Sequence, residues 1–121
     1  MEHKILIADD DSNMLNLLSE ILSAEKYLVI KANDGLEALE KAKKELPSLI
    51  MLDIHMPNKN GIQTLKEIKS DPMLKNIPVI MLTVEGSPSD IQHCMIYGAN
   101  TYITKPAKKE DIIKTVKNQL I

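Results

Sequence analysis

In Ile5-Leu6-Ile7-Ala8-Asp9-Asp10-Asp11, four consecutive apolar residues run directly into three acids. A continuous apolar run this short reads as a strand buried on both faces, as in a parallel sheet. The same shape recurs along the chain. Leu49-Ile50-Met51-Leu52 ends on Asp53, Val79-Ile80-Met81-Leu82 ends on Thr83, and Thr101-Tyr102-Ile103-Thr104 ends on Lys105-Pro106. Leu28-Val29-Ile30 is a further strand, followed by the turn signal Asn33-Asp34-Gly35.

Segments of helical period fill the gaps. Asp11 or Ser12 can cap a helix whose apolar stripe is Met14, Leu15, Leu17, Leu18, Ile21 and Leu22. Leu36, Leu39 and Ala42 line a Lys/Glu-rich helix ended by Pro47. Ile62, Leu65 and Ile68 mark a third, after a loop holding Pro57, Asn58, Asn60 and Gly61. Ser87 or Ser89 can cap a fourth, carrying Ile91, Cys94 and Met95. Ile112, Ile113, Val116 and Leu120 line the last. Five strands alternating strictly with five helices imply an α/β fold, a parallel sheet with right-handed crossovers and helices on both faces.

The 121 residues suit one domain. All 15 basic residues are Lys, against 17 acids, for a formal net charge of −2; Trp and Phe are absent. This balance argues against nucleic-acid binding, which favours a basic excess and, for single strands, stacking aromatics. Without Arg, any bound phosphate must be met by Lys, hydroxyls, backbone N–H groups or a metal. The single cysteine, Cys94, excludes an intramolecular disulfide and reads as a core residue. His3, His55 and His93 show no zinc spacing. No secretory h-region and no membrane-length apolar stretch is present, so a cytoplasmic protein without membrane partners is expected.

Ligand sites in open α/β sheets form beyond the carboxyl ends of the strands. If strands one, three, four and five are neighbours, then Asp9, Asp10, Asp53, Thr83 and Lys105 converge. Two carboxylates about 4 Å apart repel by about 4 kcal/mol at an effective dielectric of 20. Such a cluster calls for a proton or a cation, and hard oxygen ligands suit Mg²⁺. Carboxylate, divalent ion, Lys and Thr together make a phosphoryl-transfer set, with centrally placed Asp53 as the nucleophile.

The motifs Ile5-Leu6-Ile7-Ala8-Asp9-Asp10, Leu52-Asp53-Ile54-His55-Met56-Pro57 with Gly61, Met81-Leu82-Thr83, Gly98-Ala99 and Tyr102-Ile103-Thr104-Lys105-Pro106 stand in family order and spacing. Over essentially its whole length, residues 1–121, the sequence resembles a response-regulator receiver domain of two-component signalling, of the single-domain, chemotaxis type. The resemblance implies a flavodoxin-like, doubly wound sheet in the order 2-1-3-4-5. It implies that Asp53 accepts a phosphoryl group from a histidine kinase or phosphotransfer protein. It implies Mg²⁺ held directly by Asp10, through water by Asp9, and by Asp53 and the His55 backbone carbonyl. It assigns Lys105 and the Thr83 hydroxyl to phosphoryl oxygens, makes Lys105–Pro106 a cis bond, and pairs Thr83 with Tyr102 as a switch. That switch repacks the face of the fourth helix, fifth strand and fifth helix toward a downstream partner. The family is often monomeric when it stands alone, and it is no conventional enzyme, catalysing only its own phosphorylation and dephosphorylation.

Beside the stand-alone regulator stand a phosphorylation-independent interaction module, against which the intact set of Asp9, Asp10, Asp53 and Lys105 argues, and two further readings. One is a relay intermediate passing its phosphoryl group to another His. The other is an aspartate-nucleophile phosphohydrolase, which would carry a second Asp where His55 stands. Departures from the family pattern are Val84 where Ala is usual and Ala107 where Phe is frequent. Val84, His55 and Glu85 are expected to set the hydrolysis rate of the phosphorylated form, and Asp11 has no expected role beyond capping.

Overall fold

The computed structural model describes residues 3–84 and 87–120. In chain order the elements are β1 (Lys4–Ala8), α1 (Ser12–Ala24), β2 (Leu28–Ala32), α2 (Gly35–Glu45), β3 (Leu49–Asp53), α3 (Gly61–Ser70), β4 (Val79–Val84), α4 (Pro88–Ile96), β5 (Thr101–Lys105) and α5 (Lys109–Gln119). All strands pair in parallel, in the order β2-β1-β3-β4-β5. The chain therefore has the flavodoxin-like α/β architecture, and its sheet reverses direction of growth between β1 and β3.

The two-residue strand period divides the core into two layers. Leu6, Ile50, Leu52, Val79 and Met81 face Ala38 and Ala42 of α2, Leu65 and Ile68 of α3, and Cys94 of α4. Ile5, Ile7, Leu49, Met51, Ile80 and Leu82 face Leu15, Leu18 and Leu22 of α1 and Ile112 and Val116 of α5. β1 and β3 are covered on both sides, which is why their sequences are continuously apolar. Each fully buried Leu or Ile contributes about 1.5–3 kcal/mol relative to an exposed one.

Several boundaries differ from the sequence expectation. β2 runs two residues further, through Lys31 and Ala32, which pair with Ile7 and Ala8 of β1. Asn33-Asp34-Gly35 is more than a turn: Asp34 caps α2 by accepting the Glu37 N–H, and Gly35 is already helical. α2 ends at Glu45, and its C-cap Leu46 takes the left-handed conformation at φ 46, one residue before Pro47. Asn60 and Gln63 form a reciprocal capping box on α3. Asp11, rather than Ser12, caps α1. Ser87 occupies the cap position of α4 without a side-chain cap bond. Leu17, Leu36 and Met95, expected on helix stripes, are exposed. No described helix is long and apolar enough to cross a membrane.

Candidate functional site

β1, β3, β4 and β5 are consecutive neighbours in the sheet, so their carboxyl ends open onto one edge. Asp9 follows directly on β1, Asp53 ends β3, Thr83 is next to last in β4 and Lys105 ends β5. Asp53 pairs with Leu82, Thr83 with Thr104 and Val84 with Lys105. Register alone thus brings acid, hydroxyl and ammonium together.

Carboxylate oxygens of Asp9, Asp10 and Asp53 all lie within 4.8 Å of one another. Asp9 is fully buried, Asp53 nearly so, and Asp10 is exposed at the mouth. The Lys105 ammonium bridges the two buried acids, at 2.7 Å from Asp9 Oδ2 and 3.2 Å from Asp53 Oδ1. The other Asp9 oxygen accepts the Asp11 N–H at 3.0 Å, so Asp9 is held from both sides. Asp11 Oδ1 in turn accepts the Asn13 N–H. Among described residues, no buried side-chain polar atom lacks a partner.

Charge in this cluster is unbalanced: three carboxylates face one ammonium. Burial, followed by the neighbouring Asp9 charge, pushes the Asp53 carboxyl up to about 6, and Lys105 only partly offsets this. Burial disfavours the Lys105 charge, but Asp9 and Asp53 outweigh it and raise the group above its ordinary value. Each pair of carboxylates at this spacing costs about 3–4 kcal/mol at an effective dielectric of 20. A divalent cation among the three acids would remove that cost, and an all-oxygen donor set with one open, exposed carboxylate suits Mg²⁺.

The remaining expected residues are placed as follows. The Thr83 side chain is buried, with Oγ1 making a long 3.4 Å bond to the Val84 carbonyl. Val84 is exposed beside it. The exposed His55 imidazole meets Asp90 of α4, Nε2 to Oδ2 at 3.2 Å, and is not among the three clustered carboxylates. Glu85 lies outside the described residues. Tyr102 is 42% exposed and lines a surface cavity with Thr104, Pro106, Asp111 and Thr115. Lys105–Pro106 is cis. Gly61 sits where a Cβ would fall 2.1 Å from the Asp53 carbonyl oxygen, so the loop can return to the strand end only through glycine.

Residues 5–117 match the family model of the response regulator receiver domain. The chain belongs to this family. Among relatives, it is 40% identical over 114 residues to the transcriptional regulatory protein CpxR homolog of Haemophilus influenzae, covering 94% of this chain but 48% of that protein. It is 32% identical over 120 residues to the polar-differentiation response regulator DivK of Brucella anthropi, covering 99% of this chain and 98% of DivK. The chain thus spans about half of one relative and nearly all of the other. Among solved structures, the chemotaxis response regulator CheY4 of Vibrio cholerae superposes with a TM-score of 0.93 at 33% identity, over 99% of this chain and all of that one.

As a receiver domain, the chain keeps the acid pair, the strand-end Asp and the Lys together in one cluster. Two contacts of the segments that follow β2, β3 and β4 escape a reading of the sequence. Asp90 carries no motif, and its approach to His55 follows only from where α4 packs. Asn58 adopts φ 65 and bonds Asp34, 24 residues away; the Asn- and Gly-containing composition of the loop signals a turn but not its partner.

Proposed function

We propose that this receiver domain is a stand-alone response regulator whose Asp53 accepts a phosphoryl group from a kinase phosphohistidine. The observation that carries the reading is the Lys105 ammonium spanning Asp9 and Asp53 within a three-carboxylate cluster at the strand ends. In the transfer, an Asp53 carboxylate oxygen attacks phosphorus, the P–N bond to imidazole breaks, and the imidazole leaves as the neutral base after taking up a proton. Water later attacks phosphorus, releases inorganic phosphate and restores the carboxylate.

Asp9, Asp10, Asp53 and the His55 backbone carbonyl would hold Mg²⁺; once bound, it supplies positive charge to the phosphoryl oxygens. Lys105 supplies the second positive charge, pre-positioned by Asp9, so it need not reorganise as charge develops. Its attraction to Asp53 also keeps the nucleophile oriented. The Thr83 hydroxyl, held by one long bond, is free to turn toward a phosphoryl oxygen. Tyr102 then follows into the space behind it, altering the α4–β5–α5 face. Exposed Met95, Ile96, Tyr97 and Tyr102 on or beside that face make it the partner surface. Val84 and His55 flank the approach of water and set the lifetime of the phosphorylated form, together with Glu85. The near-complete coverage of DivK and of CheY4 supports the stand-alone reading. The hydrolase alternative is disfavoured by His55, whose imidazole is engaged with Asp90 rather than placed as an acid over Asp53.

Intact-protein mass after incubation with Mg²⁺ and a small acyl phosphate tests this reading. One added phosphoryl group, absent in Asp53→Asn, is expected. Continuous phosphate release without an adduct would indicate the hydrolase, and neither outcome would leave a phosphorylation-independent binding module.

A further inference from the structure

The loop from Ile54 to Asn60 leaves the end of β3 at Asp53 and carries His55, whose backbone carbonyl is a metal ligand in the proposed function. Its two ends are fixed: the Ile54 N–H donates to the Leu82 carbonyl at 3.2 Å, and the Gly61 N–H returns to the Ile54 carbonyl at 2.8 Å. The middle is a tight turn. The Lys59 N–H donates to the Pro57 carbonyl at 2.7 Å across Asn58, whose φ is 65. A three-residue turn with positive φ at its centre is rare and strained, and it persists only where surrounding contacts over-determine it.

Those contacts come from the far side of the sheet switch, at the start of α2. The Asn58 side-chain amide donates to Asp34 Oδ2 at 2.7 Å, while Asp34 Oδ1 accepts the Glu37 N–H at 2.8 Å. The Gly35 N–H donates to the Lys59 carbonyl at 3.0 Å. A Cβ on Gly35 would lie 2.3 Å from that carbonyl oxygen and 2.1 Å from Thr64 Oγ1, so the two segments touch backbone to backbone. Accepting both bonds holds the Asp34 carboxyl below its ordinary range, the Glu37 N–H contributing most and Asn58 next.

We infer that Asp34 and Asn58 are positioning residues for Mg²⁺: their bond clamps the strained turn three residues beyond His55, and so holds the backbone carbonyl that the proposed function gives to the ion. This rests on the proposed function, because it presumes that the cluster takes the ion. Partners that orient metal ligands typically change affinity by about 10–100-fold, and an effect exerted through a loop falls at the lower end, about tenfold.

The test is calorimetric titration of the full chain with Mg²⁺, comparing the parent with Asn58→Gly, Asp34→Ser and the double variant. Gly accepts positive φ, so Asn58→Gly removes the amide bond without adding backbone strain, and leaves the turn free to move. Ser still caps α2, so Asp34→Ser removes the carboxylate that holds Asn58 while keeping the helix start. Each single variant is expected to weaken Mg²⁺ binding about tenfold, with no further loss in the double. The rate of modification by an acyl phosphate should recover to the parent's at saturating Mg²⁺, a split that simple destabilisation does not produce. Unchanged affinity in both single variants, or losses that multiply in the double, would overturn the inference while leaving the proposed function intact. A parent that binds no Mg²⁺ would overturn both.

Discussion

Asp53→Asn should stabilise the metal-free protein at neutral pH, although it removes one arm of an ion pair. Burial and the Asp9 charge lift the Asp53 carboxyl from an ordinary 3.8 to about 6 even after the attraction of Lys105 is included. The folded state therefore prefers Asp53 protonated. That preference adds stability below the unfolded value and is lost as pH rises between roughly 4 and 6. At 1.36 kcal/mol per pKa unit, the full difference is about 3 kcal/mol. Water at the mouth, where Asp10 is exposed, screens part of it, leaving about 1–2 kcal/mol. Asn carries no charge to desolvate, and Lys105 keeps its shorter contact with Asp9 at 2.7 Å. In EDTA at pH 7.5, urea unfolding should place the Asp53→Asn variant about 1–2 kcal/mol above the parent with the same denaturant slope, corresponding to about 4–8 °C in Tm. The gap should close as pH falls toward 4. Added Mg²⁺ should narrow it from the other side, by stabilising the parent through mass action. A variant less stable than the parent at pH 7.5, or a gap that does not depend on pH, would refute the electrostatic reasoning.

Other expected outcomes follow from the scaffold. Leu65→Ala, at a fully buried position between α3 and the sheet, should cost about 2–5 kcal/mol in urea unfolding. Asn60→Ala breaks the reciprocal cap on α3 and should cost about 1 kcal/mol by the same assay. Cys94, buried and pushed up to about 11 by its surroundings and then by Asp90, should react with a thiol reagent at pH 7.5 far more slowly than in urea; equal rates would contradict its place in the core.

The strands that build the site are legible because burial on both faces leaves a continuous apolar run, as in Ile5–Ala8 and Leu49–Leu52. β2 reads short because it lies at the sheet edge, where Lys31 can point to solvent and breaks the run. Leu17, Leu36 and Met95 mislead for a related reason: apolar residues commonly remain exposed, so a helical stripe drawn from them is too wide. The acid cluster is legible because strand ends in a parallel sheet converge whatever lies between them. Its supporting contacts are not. Asp34 reaches Asn58 and Asp90 reaches His55 only through packing of α2 and α4, and neither pairing leaves a local pattern. The orientation of Tyr102, outward on β5, likewise depends on side-chain packing that a strand motif does not encode.

The most direct test of the central claim uses phosphoramidate, a small donor whose P–N bond matches that of phosphohistidine. With Mg²⁺ present, the account predicts one phosphoryl group per chain, located by borohydride reduction and peptide mass mapping at Asp53, and none in EDTA. Modification at another residue, or equal modification without the metal, would contradict it.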